Sequence, residues 1–322
     1  MSNFDLSRIS GKVSKNMFKT LYNPDHISIQ KALADNLVKK DTELFVVKVD
    51  DENSIAFSKT LMAYHHFAQG YLNKKPYVLT FCRVCNSGMV FNPEVNQEML
   101  HFEVAGVYNG MVQMIDRETG SYWDHITGEC LQGQHKGVQL ETLHSHLLLT
   151  AEELSTNYPN SLYGLPKVSF IKRLFNLFQS KRTATTGKGF LPPFFRHSML
   201  KNDTRLPEME MGLGVWEKQQ DATFYSMKKI KEHGGKLIES FNNQTLLIYI
   251  APLNGTPNAI YIPKDVTADW KENTLVLSNG CYIRSGKLFS NGSEELRTNE
   301  PSQMFSRWYG FIATFPNCAV FV

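Results

Sequence analysis

The chain contains no window of about 18 uncharged apolar residues, the length a membrane-crossing helix requires. Its start, "MSNFDLSRISGKVSKNMFK", lacks the apolar core of a secretory signal, so the expectation is a cytoplasmic protein. Cysteine is scarce: five residues in 322, odd in number and scattered, are too few for a disulfide framework, and reduced thiols are expected. Net charge is only +3, which by itself selects no partner. No phosphate-binding loop of the Walker spacing occurs, and "GQHKG" is a turn. Zinc-finger spacing and aromatic stacking motifs are also missing, so nucleic acid is not an expected partner.

What is present is an ordinary composition, 42% hydrophobic and 20% charged, sufficient for two domains or one large one. The charge is unevenly placed. Between Lys167 and Arg205 nine basic residues face one acid, Asp203, so the rest of the chain is acidic. Within that segment "VSFIKRLFNLFQSKR" sets Phe170, Ile171, Leu174, Phe175, Leu177 and Phe178 at helical spacing among Lys172, Arg173, Lys181 and Arg182. It reads either as a linker helix with solvated charges or as a basic surface for anionic lipid or an acidic partner.

The order of elements in Leu44–Gly164 recurs weakly in Gly212–Val322. Tyr158-Pro159-Asn160 and Phe315-Pro316-Asn317 set the register, together with Ala56-Phe57 and Thr223-Phe224. Strands are expected at "ELFVVKV", "YVLTF", "TLLIYIA" and "AIYIP", which are β-branched and aromatic runs between turn residues. Helices are expected at "KTLMAYHHFAQGYL", with Leu61, Tyr64, His65 and Ala68 on one side, and at "TAEELSTNY", where Thr150 and Glu153 form a capping box. Where the first copy has Cys82 and Cys85, the second has Ala251 and Asn254, which argues against a packing role for the sulfurs.

The stretches "KPYVLTFCRVCNSGMVFNPEV", "VAGVYNGMVQMIDRETGSYWDHITGECLQGQHKGVQLETL" and "NYPNSLYG" resemble the domain of unknown function 3179 family of bacterial and archaeal proteins. Its members typically carry Tyr-Cys-Pro-Leu-Cys-Gly, then Asn-Ser-x-Leu-Val-Met-Tyr-Asp-Arg-x-Thr-x-Ser-x-Trp, then a Thr-Gly run. By that resemblance Cys82, Cys85, Asp116, Arg117, Trp123, Thr127 and Gly128 fall on family positions, and His65 on the histidine of a Trp-His-Glu motif. Departures are His66 for Glu, Arg83 for Pro, Asn86 for Gly and His125 for Gln. The resemblance implies a shared fold and a shared site, and no activity.

In "LTFCRVCNSGMVF" the two cysteines lie on a strand–turn–strand, which lets both sulfurs enter one small volume. Thiolates with one imidazole favour zinc, copper or iron over magnesium or calcium. Cys82, Cys85 and His65 would leave a fourth position for water, substrate or a further residue such as His125 or Cys130. The same atoms suit redox or covalent thiol chemistry, with Cys82 attacking, although "NSGMVF" reads as strand and offers no activating helix N-terminus. The third reading is an inert buried pair. Asp116 and Arg117 fit a hairpin turn that ties loops together, and Trp123 fits the core; alternatively Arg117 clamps an anion beside the thiols.

The sequence therefore predicts an internally duplicated α+β protein with mainly antiparallel sheets and few helices. Its parts are an extension over 1–43, a first repeat with the Cys-x-x-Cys site over 44–164, a basic linker over 165–211 and a degenerate repeat over 212–322. The leading function is a metal- or thiol-dependent activity on a small molecule at Cys82, Cys85 and His65, with a soft transition metal as the candidate cofactor. Asn109, Asp116, Arg117, Trp123 and Thr127 are the candidate substrate-binding residues. The alternative is a non-catalytic module that binds a membrane surface or acidic partner through 167–205 and keeps its cysteines structural.

Overall fold

Short apolar runs punctuated every few residues by Asn, Asp and Gly make short antiparallel strands, and the fold follows from that spacing. The structure is a computed structural model that describes residues 4–11, 18–50, 52–145, 147–166, 189–200, 203–217 and 221–321. Among the described residues 44% are strand and 15% helix, and no helix exceeds seven residues. No described helix is long and apolar enough to cross a membrane. The basic amphipathic helix expected from "VSFIKRLFNLFQSKR" lies outside the described residues.

The chain divides into two compact units, Met1–Glu210 with Ser306–Thr314, and Met211–Phe305 with Phe315–Val322. In the first unit, one five-stranded sheet orders Leu21–Tyr22, Phe67–Leu72, Lys75–Thr80, Met89–Phe91 and Thr142–Ser145. A four-stranded sheet orders Phe102–Tyr108, Met111–Asp116, Tyr122–Asp124 and Cys130–Gln132. A second five-stranded sheet orders Leu147–Thr150, Glu43–Lys48, Ser54–Ser58, Leu162–Gly164 and His26–Ser28. Two-residue turns in the left-handed region join the tightest hairpins, Asn73-Lys74 (φ 48° and 63°) and Asn109-Gly110 (φ 49° and 74°), as a right-twisted hairpin requires. Phe45, Val47, Phe57, Met62, Leu79 and Phe81 belong to one buried cluster, so both five-stranded sheets and the helix Lys59–His65 share a core.

The second unit repeats the same economy. Met211–Trp216 pairs with Ala222–Ser226, Lys236–Phe241 with Gln244–Ile250, and Ala268–Lys271 with Thr274–Leu277, each hairpin extended into a small sheet. Leu213, Val215, Leu246 and Ile248 form one of its cores, and Leu247, Tyr249, Ile260 and Leu275 another.

Two expectations are corrected here. The α+β class fails because the described residues are mostly β, gathered in small sheets with only short helices between them; in "KTLMAYHHFAQGYL", for example, the helix stops at His65, His66 turns the chain at φ 62°, and Phe67–Leu72 is extended. The two-copy duplication fails because the repeated piece is a single small sheet. Beside the two-stranded pair Glu94–Val95 and Glu98–Met99, the three larger sheets of the first unit hold five, four and five strands, the remaining three hold four, three and five, and Ser306–Thr314 of the supposed second copy belongs to the first unit. A short sheet needs the same strand–turn–strand chemistry wherever it occurs, and that chemistry produced the likeness.

Other local readings agree with the structure. The four expected strand runs lie in Glu43–Lys48, Lys75–Thr80, Gln244–Ile250 and Pro257–Ile262. The helix Ala151–Asn157 opens with Thr150 accepting from Glu153 N–H while the Glu153 carboxylate accepts from Thr150 N–H. Thr150→Ala is expected to lower stability by about 1 kcal/mol in urea unfolding, the ordinary cost of losing a helix cap.

Candidate metal centre

The strand Lys75–Thr80 runs into Phe81 and Cys82, and two backbone hydrogen bonds then fold the chain back. Cys82 N–H donates to Ser87 O at 2.7 Å and Ser87 N–H to Cys82 O at 3.2 Å, closing a turn over residues 83–86 in which Asn86 sits at φ 55°. Asparagine tolerates this left-handed conformation, so it serves where glycine is usual. Both sulfurs are enclosed, with Cys82 1% exposed and Cys85 fully buried.

A second turn brings in the imidazole. After Tyr122–Asp124, the Asp124 carboxylate accepts from Ile126 N–H and Thr127 N–H, each at 2.8 Å, and fixes the loop that carries His125. His125 O accepts from Thr80 Oγ1 at 2.9 Å, which ties the loop to the strand leading to Cys82. Gly128, at φ 72°, allows the close approach: a Cβ there would stand 2.8 Å from the Phe91 ring.

The ligand atoms of Cys82, Cys85 and His125 all lie within 4.8 Å of one another, and all three residues are buried. Ser87 joins two of them, its Oγ 2.7 Å from Cys85 Sγ and 3.0 Å from His125 Nε2. Burial, and then the nearby His66, hold His125 neutral, its pKa brought down to about 3. Burial pushes the Cys82 thiol up, but donation from Cys85 and from the N–H groups of Cys85, Val112 and Val84 outweighs it, so Cys82 is the more acidic thiol. Cys85 is driven up by its own burial and by Cys82.

The wall behind Cys85 comes from far along the chain. Arg307 N–H donates to Cys85 O at 2.8 Å, while Trp308 N–H and Tyr309 N–H, orphan donors at the start of the helix Trp308–Thr314, donate to Glu210 O and Glu208 O. Gly310 packs on the cysteine itself, for a Cβ there would lie 2.8 Å from Cys85 Cβ.

The sequence candidates separate into groups. Cys82 and Cys85 stand together, and His125, considered as a fourth ligand, stands with them. His65 is outside this cluster: its Nδ1 bonds to Lys19 O, its ring meets Tyr64, and its buried Nε2 has no partner among the described residues. His66 donates from Nδ1 to Phe81 O at 2.8 Å. Cys130 is apart as well, its thiol directed to Gln132 O and pushed up to about 11 by burial.

Asp116 is buried and accepts from Trp123 Nε1 at 2.8 Å, from Thr119 N–H at 2.6 Å and from Ser121 N–H at 3.2 Å. Arg117 pairs with Glu103 and lies over the Tyr22 ring, with its centre 4.5 Å from the ring centroid. Asn109 forms its hairpin turn and accepts from Arg8, and Thr127 accepts from Glu129 N–H at 3.3 Å. Trp123 is fully buried against Phe102. Sequence reasoning missed Ser87, Arg307, Tyr309 and Gly310. The one available signal for the last three was an arginine inside the otherwise apolar run "MFSRWYGFIATF".

Acid should weaken the metal-free protein. His125 and His66 are brought down from 6.5 to about 3 and about 4, so both are neutral when folded and protonate on unfolding. Their stabilisation is fully present above pH 6.5 and is lost as pH falls through 4 toward 3, with a slope of up to about 1.4 kcal/mol per pH unit for each. Urea unfolding between pH 7 and 4 is expected to show this slope, reduced by one proton in His125→Gln. Asp116→Ala, which removes the acceptor of four donors (the N–H groups of Thr119 and Ser121, the Thr119 hydroxyl and the Trp123 indole), is expected to cost roughly 3 kcal/mol in the same assay.

Residues 18–305 match the model of a family described as "Protein of unknown function (DUF3179)". No curated protein and no solved structure matches the chain.

Proposed function

The chain belongs to this DUF3179 family, and on that footing we propose that its function rests on a buried soft-metal centre held by Cys82, Cys85 and His125 and acting on a small molecule. The observation that carries the proposal is the convergence of two sulfurs and one imidazole nitrogen within 4.8 Å in the interior. Zinc, copper and iron are the ions such donors select. Three protein ligands leave one coordination position for an exogenous group, the pattern of catalytic rather than closed structural sites.

An ion held there would polarise the group bound at the remaining position. The protein's own contribution is arrangement. A neutral His125 presents a lone pair without first losing a proton, and Ser87 holds that nitrogen and Cys85 side by side. The N–H groups of Val84, Cys85 and Val112 around Cys82 favour its thiolate, the form that binds metal.

The same N–H groups would also favour a dithiol–disulfide cycle in which Cys82 attacks. Exposures of 1% for Cys82 and none for Cys85 oppose it, since exchange requires a partner sulfur to reach the bond.

Elemental analysis of protein purified anaerobically, without a metal-affinity tag, tests the reading. Near-stoichiometric zinc, copper or iron is expected, lost in Cys82→Ser, Cys85→Ser and His125→Ala and retained in His65→Ala. A metal-free protein with thiols that oxidise reversibly to a disulfide would replace the proposal with the redox reading; retention of metal in His125→Ala would remove that residue from the ligand set.

A further inference from the structure

Resting on that metal centre, we propose that Arg307 and Tyr309 form an anion-binding position beside it, so that the exogenous ligand of the centre is a small oxyanion of carboxylate type and the ion is divalent.

The residues that point to this are buried and incompletely satisfied. Arg307 is 2% exposed, and its Nη1 donates to Met209 O at 3.1 Å, yet its Nε has no hydrogen-bond partner and its guanidinium pairs with no carboxylate among the described residues. Tyr309 is 1% exposed, and its hydroxyl, which has no other partner among the described residues, lies beside the Cys85 thiol. Buried arginine is ordinarily paired, because an uncompensated charge away from water is strongly unfavourable. Both side chains are close enough to the cysteines to feel sulfur charge, Arg307 that of Cys85 and Tyr309 that of Cys85 and Cys82. The backbone bond from Arg307 N–H to Cys85 O and the contact of Gly310 with Cys85 fix the segment against the site.

Charge selects the ligand. Two thiolates and a neutral imidazole around a divalent ion sum to zero, which leaves the Arg307 cation unbalanced in the interior; one bound anion balances it. A guanidinium N–H and a phenol O–H are both donors, and together they suit an acceptor with two oxygens. A monovalent ion reverses the argument: the two thiolates would then leave one negative charge, Arg307 alone would balance it, and an anion would be disfavoured.

The test uses the full chain loaded with cobalt(II), whose thiolate charge-transfer and d–d bands report the centre directly, titrated with acetate and with azide at constant ionic strength. Saturable shifts of the d–d bands by either anion are expected. Arg307→Met should weaken anion binding roughly tenfold or more, the usual loss for a charged hydrogen bond, with cobalt stoichiometry unchanged. Tyr309→Phe removes a single hydroxyl whose nearest polar neighbour is the Cys85 sulfur, keeps both cysteines as ligands and keeps the test decisive if Arg307→Met does not fold; a few-fold weakening is expected.

Normal cobalt bands with no response to either anion, or with equal responses in the wild type and Tyr309→Phe and Arg307→Met, would overturn the anion position and leave the metal centre standing. Copper(I) as the metal in the protein as purified would also overturn it. Absence of the thiolate charge-transfer band would overturn the metal centre, and the anion position with it.

Discussion

Two reciprocal backbone hydrogen bonds between Cys82 and Ser87 determine where the sulfurs lie, and most of the site is arranged around them. They stop the strand Lys75–Thr80 from continuing, compress residues 83–86 into a turn and leave the Cys85 carbonyl available to Arg307 N–H. Each such bond contributes only about 1 kcal/mol net, but a buried backbone group left without its partner costs more than it contributes when paired. The turn is therefore held by the penalty for opening it. Because Ser87 closes the turn with its backbone and joins Cys85 to His125 with its hydroxyl, local conformation and site chemistry depend on the same residue.

The residues that resemble the family motif serve two different purposes. Asp116, Trp123 and Gly128 build turns: the carboxylate gathers four donors, one from the indole, and the glycine gives the Phe91 ring room. Cys82 and Cys85 bring reactive atoms together, joined by His125, which departs from the motif. The first set makes the second possible, since the loop carrying His125 begins where the strand Tyr122–Asp124, with Trp123 at its middle, ends. Nothing in the geometry requires Arg117 or Asn109 to touch the thiols; each has a local structural partner in Glu103 or Arg8.

The legible parts of the sequence were the local ones. Apolar runs ending in turn residues located the Cys-x-x-Cys turn and several strands, and the Thr150–Glu153 pair located a helix start. Helical periodicity misled at His65, because the spacing of Leu61, Tyr64, His65 and Ala68 is indifferent to a left-handed residue at His66 that ends the helix and redirects the chain. The role of His125 depended on which ring shares a volume with the sulfurs, a tertiary property without a local period. Arg307 and Tyr309 lie more than two hundred residues from Cys85, and only the burial of an arginine among aromatic neighbours marks them.

The small glycine contact at Cys85 also sets an order of events. The segment Ser306–Thr314 belongs with the first unit, yet all of Met211–Phe305 precedes it in synthesis. On the ribosome, Cys82, Cys85 and His125 emerge long before the Arg307–Gly310 wall exists to cover them, so the thiols pass through a stage in which that side is open. Closure by a late-arriving stretch of chain means that the two thiols are enclosed on that side only after Met211–Phe305 of the second unit has been made.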